Sequence, residues 1–413
     1  MREPAAIVIV GGGHAGAALC AALSTAGLGA RVHLVCEEAE LPYQRPPLSK
    51  TFLKNPQEVL QPHRNDSWYA EVGMKLHRGD PAVAIDRKAM TLMLRSGTTL
   101  PYAWLVLATG AMARSLPGLP PTLANVAVLR SATDALRLRA LLGAAQQVTV
   151  LGGGFIGLEI AATARALGKT VTVLEMAPRL LQRSVSQALA GHVLLTHRAS
   201  GIDIRLGVTI GGLELAQDRL AAVTVNAQRE PVEVMVLGIG ASPATELAQA
   251  AGLASDASGG IIVDAAMRSS DPAILAIGDC ANFPEHGSAR RLRLESVQNA
   301  NDQARTALAT LVGAPVAYRA VPWFWSEQGS LRLQMAGLLA PGAVHHQRPG
   351  ASPASFSLLH YAGDRLVCVE SVNAPQDHMA ARKLLESGSS PEPVSACDPA
   401  RPLKSFIEAV WLE

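Results

Sequence analysis

The feature that most restricts this chain is a repeat. The segment Ile7-Val8-Ile9-Val10-Gly11-Gly12-Gly13-His14-Ala15-Gly16 returns as Val148-Thr149-Val150-Leu151-Gly152-Gly153-Gly154-Phe155-Ile156-Gly157. Each copy is a short apolar strand running into G-x-G-x-x-G and then into an Ala/Leu-rich stretch of helical composition. The first glycine of such a loop (Gly11, Gly152) permits a tight turn. The second (Gly13, Gly154) lets a pyrophosphate approach the backbone, and the third (Gly16, Gly157) lets helix and strand pack closely. The helix start then offers free N–H groups and a positive dipole end to phosphates. A lone match is weak evidence and could be only a tight turn. Two copies, each after a strand, before a helix and about 20 residues ahead of an acid, predict two dinucleotide-binding units.

Those acids are Glu37, with Glu38 beside it, and Glu175, each following a second β-rich run at 30–35 and 170–174. A carboxylate there accepts hydrogen bonds from ribose hydroxyls and repels a 2′-phosphate. Met176 and Ala177 follow Glu175, so no arginine stands ready for that phosphate, and NADH is expected over NADPH. Leu105-Val106-Leu107-Ala108-Thr109-Gly110 is an apolar strand ending in Thr-Gly, followed by a linker with Pro117, Pro120 and Pro121. Leu237-Gly238-Ile239-Gly240 closes the second unit in the same way. Ile274 to Asp279 then sets an acid after a strand, at the ligand-facing end of a doubly wound sheet; the same residue could serve as a helix cap.

The expected class is α/β: a FAD module over 1–112 and 243–317, interrupted by an NAD module over 113–242. From about Tyr318 the composition changes. Pro322-Trp323-Phe324-Trp325 concentrates aromatics in a chain with only 4% of them, and alternating runs at 356–361 and 365–369 precede a helical stretch near 377–385. A small α+β domain over 318–413 is predicted.

Composition narrows the function. At 413 residues the chain is long enough for two or three domains, and a formal net charge of +2 without a long Lys/Arg run argues against nucleic acid. The five cysteines are scattered and form no C-x-x-C pair, so neither a disulfide framework nor a metal site is expected. Residues 1–4 show no signal-peptide pattern, and no apolar run reaches the roughly 18 residues a membrane span requires. The cytoplasm is the expected compartment and a monomer the expected state.

Tyr43-Gln44-Arg45-Pro46-Pro47-Leu48-Ser49-Lys50, the Ala-Thr-Gly strand, Gly152 to Glu159, Gly278-Asp279, Glu295-Ser296-Val297 and Pro322-Trp323-Phe324-Trp325-Ser326 occur in that order. Over nearly its whole length the chain resembles the ferredoxin reductases of bacterial oxygenase systems. The resemblance implies a glutathione-reductase type of fold, with FAD, NAD and C-terminal interface domains. It also implies a reaction in which NADH reduces FAD and the electrons pass singly to a [2Fe–2S] ferredoxin. The FAD ligands it implies are the 11–16 loop with Ala15, Glu37, Arg45, Lys50, Val83 by its backbone, Thr109, Gly110, Arg130, Asp279 and Val297. For NAD they are the 152–157 loop with Gly154, Phe155 and Ile156, then Glu159, Glu175 and the backbone of Gly238 and Gly240.

Lys50 is implied to lie near the flavin and to pair with Glu159, and Trp325 to line the flavin site near the ferredoxin surface. The plain alternatives are a surface lysine, an exposed helical glutamate and a core tryptophan. Arg290, Arg291, Arg293, Arg305 and Lys404 are candidates for a basic patch facing an acidic ferredoxin. Where relatives acting through thiols need a cysteine, near residue 43, this chain has Tyr43-Gln44-Arg45. Cys36 stands where the family commonly has glycine, and Ala244 where many relatives have asparagine. A rubredoxin reductase and an NADH-sensing flavoprotein like apoptosis-inducing factor are the rival readings.

Overall fold

Apolar strands without polar alternation must be covered on both faces, and the two repeats build such strands. The computed structural model describes residues 6–120, 122–256 and 259–407. Residues 1–4 and Pro121 of the linker lie outside the described residues. The chain forms two units, one of Met1–Arg45, Val59–Met112 and Ala241–Ala320, the other of Pro46–Glu58, Ala113–Gly240 and Val321–Glu413.

In the first unit five parallel strands stand in the order Ile274–Ala276, Trp104–Leu107, Ile7–Val10, Val32–Cys36, Lys75–Arg78. The central strand is wholly buried, and the polar Lys75–Arg78 takes the edge. The strand expected over 30–35 starts only at Val32, because Gly29–Arg31 forms a single 3-10 turn. The helices His14–Thr25 and Val297–Leu311 pack against each other. A three-stranded antiparallel sheet (Ala82–Asp86, Thr91–Leu94, Thr99–Pro101) adjoins in sequence. Its register slips between Ala82 and Ala84, which leaves the backbone of Val83 outside the ladder.

The second unit repeats the plan. Its parallel sheet runs Asp203–Leu206, Thr170–Glu175, Gln147–Leu151, Val234–Leu237, Val126–Ala127. The C-terminal part is a five-stranded antiparallel sheet in the order Trp323–Gln328, Leu331–Gly337, Arg365–Val372, Phe356–Ala362, Val344–Pro349. Helix Pro375–Ser387 covers it, opened by proline in its first turn and closed by Gly388 at φ 71°. The expected α/β class with an α+β C-terminal part is what the chain forms.

The period of two along these strands divides the sheet's faces. Leu331, Leu333 and Met335 join Val150, Leu158 and Val173 in one buried cluster, so this face shares its core with the second nucleotide module. On the other side Ala336, Leu359 and Val369 meet Ala381 and Leu384 of the covering helix. A polar tie reinforces the junction. Buried Glu370 accepts from the Ser186 N–H at 2.7 Å and from Ser186 Oγ at 2.5 Å, at the start of helix Gln187–Ala199, while His360 Nε2 lies 2.9 Å from the same carboxylate. Among the described residues no helix is long and apolar enough to cross a membrane.

Candidate active site

Each glycine of the first loop has its own physical reason. Gly11 has φ +116°, and a Cβ there would meet Ala108 O at 2.2 Å. Gly16 is closed to a Cβ by Gly11 O at 2.0 Å. Gly13 is different: its φ of −77° suits any residue, and a Cβ there would meet nothing within 4 Å. The protein itself gives no reason for glycine at that place, whereas a pyrophosphate laid on the loop does. The second loop repeats the arrangement. Gly152 (φ +107°) and Gly157 are hemmed in by Gly238 O and Gly152 O, while Gly154, at φ −82°, has only Gly238 O at 3.7 Å.

The helix starts agree. Ser131, Ser186 and Ser296 cap their helices by accepting the N–H groups of Asp134, Leu189 and Asn299. The helices behind the glycine loops, His14–Thr25 and Phe155–Ala166, have neither a side-chain cap nor an acid in the first turn. Their first N–H groups are left for an anion, and the residues present fit two dinucleotides.

Around the first loop, Thr109 donates from Oγ1 to Ala244 O at 2.6 Å and Gly110 takes φ +72°. Asp279 sits in the turn Gly278–Cys280, beyond the strand end at Ala276, and Gly278 lies against Ala15. It caps no long helix: Val297 opens its helix behind the Ser296 cap. Arg45 pairs with Glu38 at 2.7 Å, and Tyr43 donates to the same carboxylate at 2.6 Å, whereas Glu37 is exposed just past its strand. The strand register carries a surprise. Val10 pairs with Val35 and Leu151 with Leu174, so the counterpart of Glu175 in the first unit is Cys36, not Glu37. Glu175 is itself held in place, its Oε2 accepting from Gly153 N–H at 2.6 Å and its Oε1 from Ala177 N–H at 2.7 Å.

In the second unit Phe155 leans on Phe324 with centroids 4.6 Å apart, and Ile156 is 46% exposed at the loop. Arg130 is half-buried, its backbone N–H donating to Asp134 at 3.0 Å. Arg183, which the sequence did not single out, brings its guanidinium to 3.4 Å from where a Cβ on Gly240 would stand.

The plain alternatives for Lys50 and Glu159 do not hold. Glu159 is 4% exposed, and Lys50 Nζ lies 2.7 Å from its Oε2. Ser49 Oγ donates to the same oxygen at 2.5 Å and Ser326 Oγ to Oε1 at 2.7 Å. Lys50 also donates to Pro46 O at 3.2 Å, and Thr163 Oγ1 to Ser49 O at 2.8 Å. These bonds explain why Pro46–Glu58 clusters with the second unit. Trp325 is half-buried, tilted against Trp323 (5.6 Å) and Phe324 (6.4 Å).

Ser49 and Ser326 stood in the sequence motifs without a role, and Gln328 was not singled out. One signal was available: Ser326 and Gln328 alternate with exposed Glu327 on a strand, so both must face inward.

The pyridine nucleotide-disulphide oxidoreductase model matches residues 5–304, and a reductase C-terminal model matches 323–407. The chain belongs to the pyridine nucleotide-disulphide oxidoreductase family. Rhodocoxin reductase of Rhodococcus erythropolis is 42% identical over 97% of this chain and 94% of its own. The ferredoxin–NAD(+) reductase component of the anthranilate 1,2-dioxygenase system of Burkholderia cepacia is 40% identical over 97% and 98%. The crystal structure of the covalent putidaredoxin reductase–putidaredoxin complex is similar at TM-score 0.93 and 36% identity, covering 100% of both chains.

The disulphide in the family's name has no counterpart here. All five cysteines are free, and four are buried. Burial pushes the Cys36 thiol up to about 12, with Glu38 adding to the effect. Burial likewise raises Cys20, Cys280, Cys368 and Cys397. None of the five is paired or drawn toward a thiolate, so no disulphide stands ready in this chain to receive electrons.

The basic patch is weaker than the sequence suggested. Arg290 is paired with Glu285, Arg293 with Glu295 and Arg305 with Asp302, while Arg291 donates to Asn282 Oδ1 and Val263 O. Lys404 is exposed.

Proposed function

We propose that the chain is an NADH-dependent ferredoxin reductase that feeds electrons to an oxygenase through a [2Fe–2S] ferredoxin. The observation that carries this reading is the full-length likeness to ferredoxin reductases in a chain whose five cysteines form no disulphide. Electrons entering such a protein have to leave for another molecule.

When bound, FAD would supply the redox chemistry, converting a hydride donor's two electrons into single electrons, so that one NADH would serve two [2Fe–2S] centres. The chain's residues bind and orient. The 11–16 loop, Glu37, Arg45, Val83, Thr109, Gly110, Arg130, Asp279 and Val297 would hold FAD. The 152–157 loop, Glu175, Gly238 and Gly240 would hold NADH. Glu175 selects NADH because its carboxylate, fixed by two backbone N–H groups, repels a 2′-phosphate. Lys50 and Glu159 orient the nicotinamide and offset the negative charge that hydride transfer delivers. Trp325 lines the exit side, and residues 318–413 serve as the interface domain. The protein works in the cytoplasm as a monomer.

Purified protein carrying flavin should reduce cytochrome c with NADH rapidly only when a [2Fe–2S] ferredoxin is added. Equal rates without ferredoxin, or with rubredoxin alone, would overturn the reading. Replacing Lys50 with Met should slow flavin reduction by NADH in stopped-flow, and an unchanged rate would remove that pair from the mechanism.

A further inference from the structure

The Glu159 carboxylate is the end of a buried chain of hydrogen bonds that the pair with Lys50 does not explain. A carboxylate can only accept, so Ser326 must donate its hydroxyl hydrogen to Oε1, 2.7 Å away. The Ser326 oxygen is then free to accept from Gln328 Nε2 at 3.0 Å. With its nitrogen so placed, Gln328 turns Oε1 toward His197 Nε2, 2.8 Å off, and that ring nitrogen has to carry a hydrogen. One acceptor at one end thus sets the polarity of four residues on three elements: helix Phe155–Ala166, strand Trp323–Gln328 and helix Gln187–Ala199. All four side chains are at most 4% exposed, so no bulk water competes.

Apolar side chains could fill the same space without such constraints. What a polarised chain adds is direction, since each bond strengthens and aims the next. Here it claims Oε1 and turns Oε2 toward Lys50 and Ser49. We propose that Ser326, Gln328 and His197 are positioning residues for hydride transfer, forming a relay through which the C-terminal sheet fixes the Glu159 carboxylate and hence the Lys50 ammonium. This rests on the reading of Lys50 and Glu159 given above. Burial lowers the His197 pKa from its ordinary value, with the Gln328 bond opposing it, so at neutral pH the ring carries one hydrogen and its tautomer reports the polarity.

The test uses the flavin-loaded enzyme with nitrogen-15 histidine. In the wild type, long-range proton–nitrogen spectra should find His197 with its hydrogen on Nε2. In Glu159→Gln the amide oxygen should take the place beside Lys50 and Ser49, two donors, and its NH2 the place facing Ser326. That reverses the chain, and His197 should move to the Nδ1–H form. An unchanged tautomer overturns the relay, because side chains that merely fill space would not respond. In stopped-flow, Ser326→Ala should lower the flavin reduction rate at saturating NADH by on the order of tenfold, as expected for one lost bond to a charge. NADH affinity should stay within about twofold, and Ser326→Thr, which keeps the hydroxyl, should restore most of the rate. A wild-type rate in Ser326→Ala would sink the proposal. Should that variant fold poorly, Gln328→Met breaks the relay one step further out and should likewise lower the flavin reduction rate, a wild-type rate there overturning the relay. Lys50→Met separates the two readings: a fast Lys50→Met removes the pair itself, whereas a slow Lys50→Met beside a fast Ser326→Ala removes only the relay.

Discussion

At Gly13 the protein imposes nothing: the backbone angles are ordinary, and a methyl group would touch no neighbour within 4 Å. Gly16 is the opposite, with Gly11 O only 2.0 Å from a Cβ. The two substitutions should therefore fail differently. Gly13→Ala is expected to give a folded protein, by circular dichroism and melting, that retains far less flavin. Gly16→Ala should not fold at all. A Gly13→Ala protein that keeps its full flavin complement would contradict the assignment of this loop to a pyrophosphate. At Glu175, removing a carboxylate that both binds ribose and repels phosphate changes two terms together. Glu175→Ala should narrow the kcat/KM preference for NADH over NADPH by about tenfold or more, the scale of 1–3 kcal/mol for such groups. A preference left intact would mean that another residue sets it.

Much of this scale was legible beforehand, because glycine loops and their acids are patterns of local spacing. The relay was not. His197 is a single histidine in a helix and belongs to no pattern, and its partner Gln328 is brought to it by the fold. The match of Cys36 to Glu175 also needed the sheet, since strand offsets are set by packing across the layer and not by counting along the chain.

At the level of elements, the C-terminal sheet and its helix hold the least expected chemistry. His378 is buried on helix Pro375–Ser387, edge-on to Trp323 at 5.8 Å, and neither ring nitrogen has a hydrogen-bond partner among the described residues. Burial, with Arg382 and Arg332 nearby, lowers its pKa to about 4 from 6.5. The sign follows from linkage. The unfolded chain takes up this proton near 6.5 and the folded one only near 4, so stability is lost as pH falls through that window. The stability lost across the window is about 3 kcal/mol. His378→Phe keeps the ring contact with Trp323 and removes the titration, so its melting temperature should match or exceed wild type at neutral pH. It should also fall less steeply between pH 6.5 and pH 4. An acid slope identical to wild type would show that His378 does not titrate as its burial requires. That the C-terminal sheet shares a core with the second nucleotide module was hidden in the sequence: the alternation of Leu331, Leu333 and Met335 announces a buried face, but not what covers it.

For the whole molecule, the decisive facts are what enters and what leaves. Two helix starts behind glycine loops, without a side-chain cap or a first-turn acid, fit two dinucleotides, and five free cysteines leave no disulphide to take the electrons within the chain. The arginines once expected to form a free basic patch mostly face carboxylates of their own, so steering of an acidic partner cannot rest on them alone. Electrons from NADH should then leave singly to a ferredoxin. The most direct measurement is anaerobic rapid mixing of the NADH-reduced enzyme with oxidised [2Fe–2S] ferredoxin, following the bleaching of the iron–sulfur absorbance. Fast bleaching of two ferredoxins for each NADH consumed is expected. A reduced flavin–NAD complex that persists while the ferredoxin stays oxidised would contradict it.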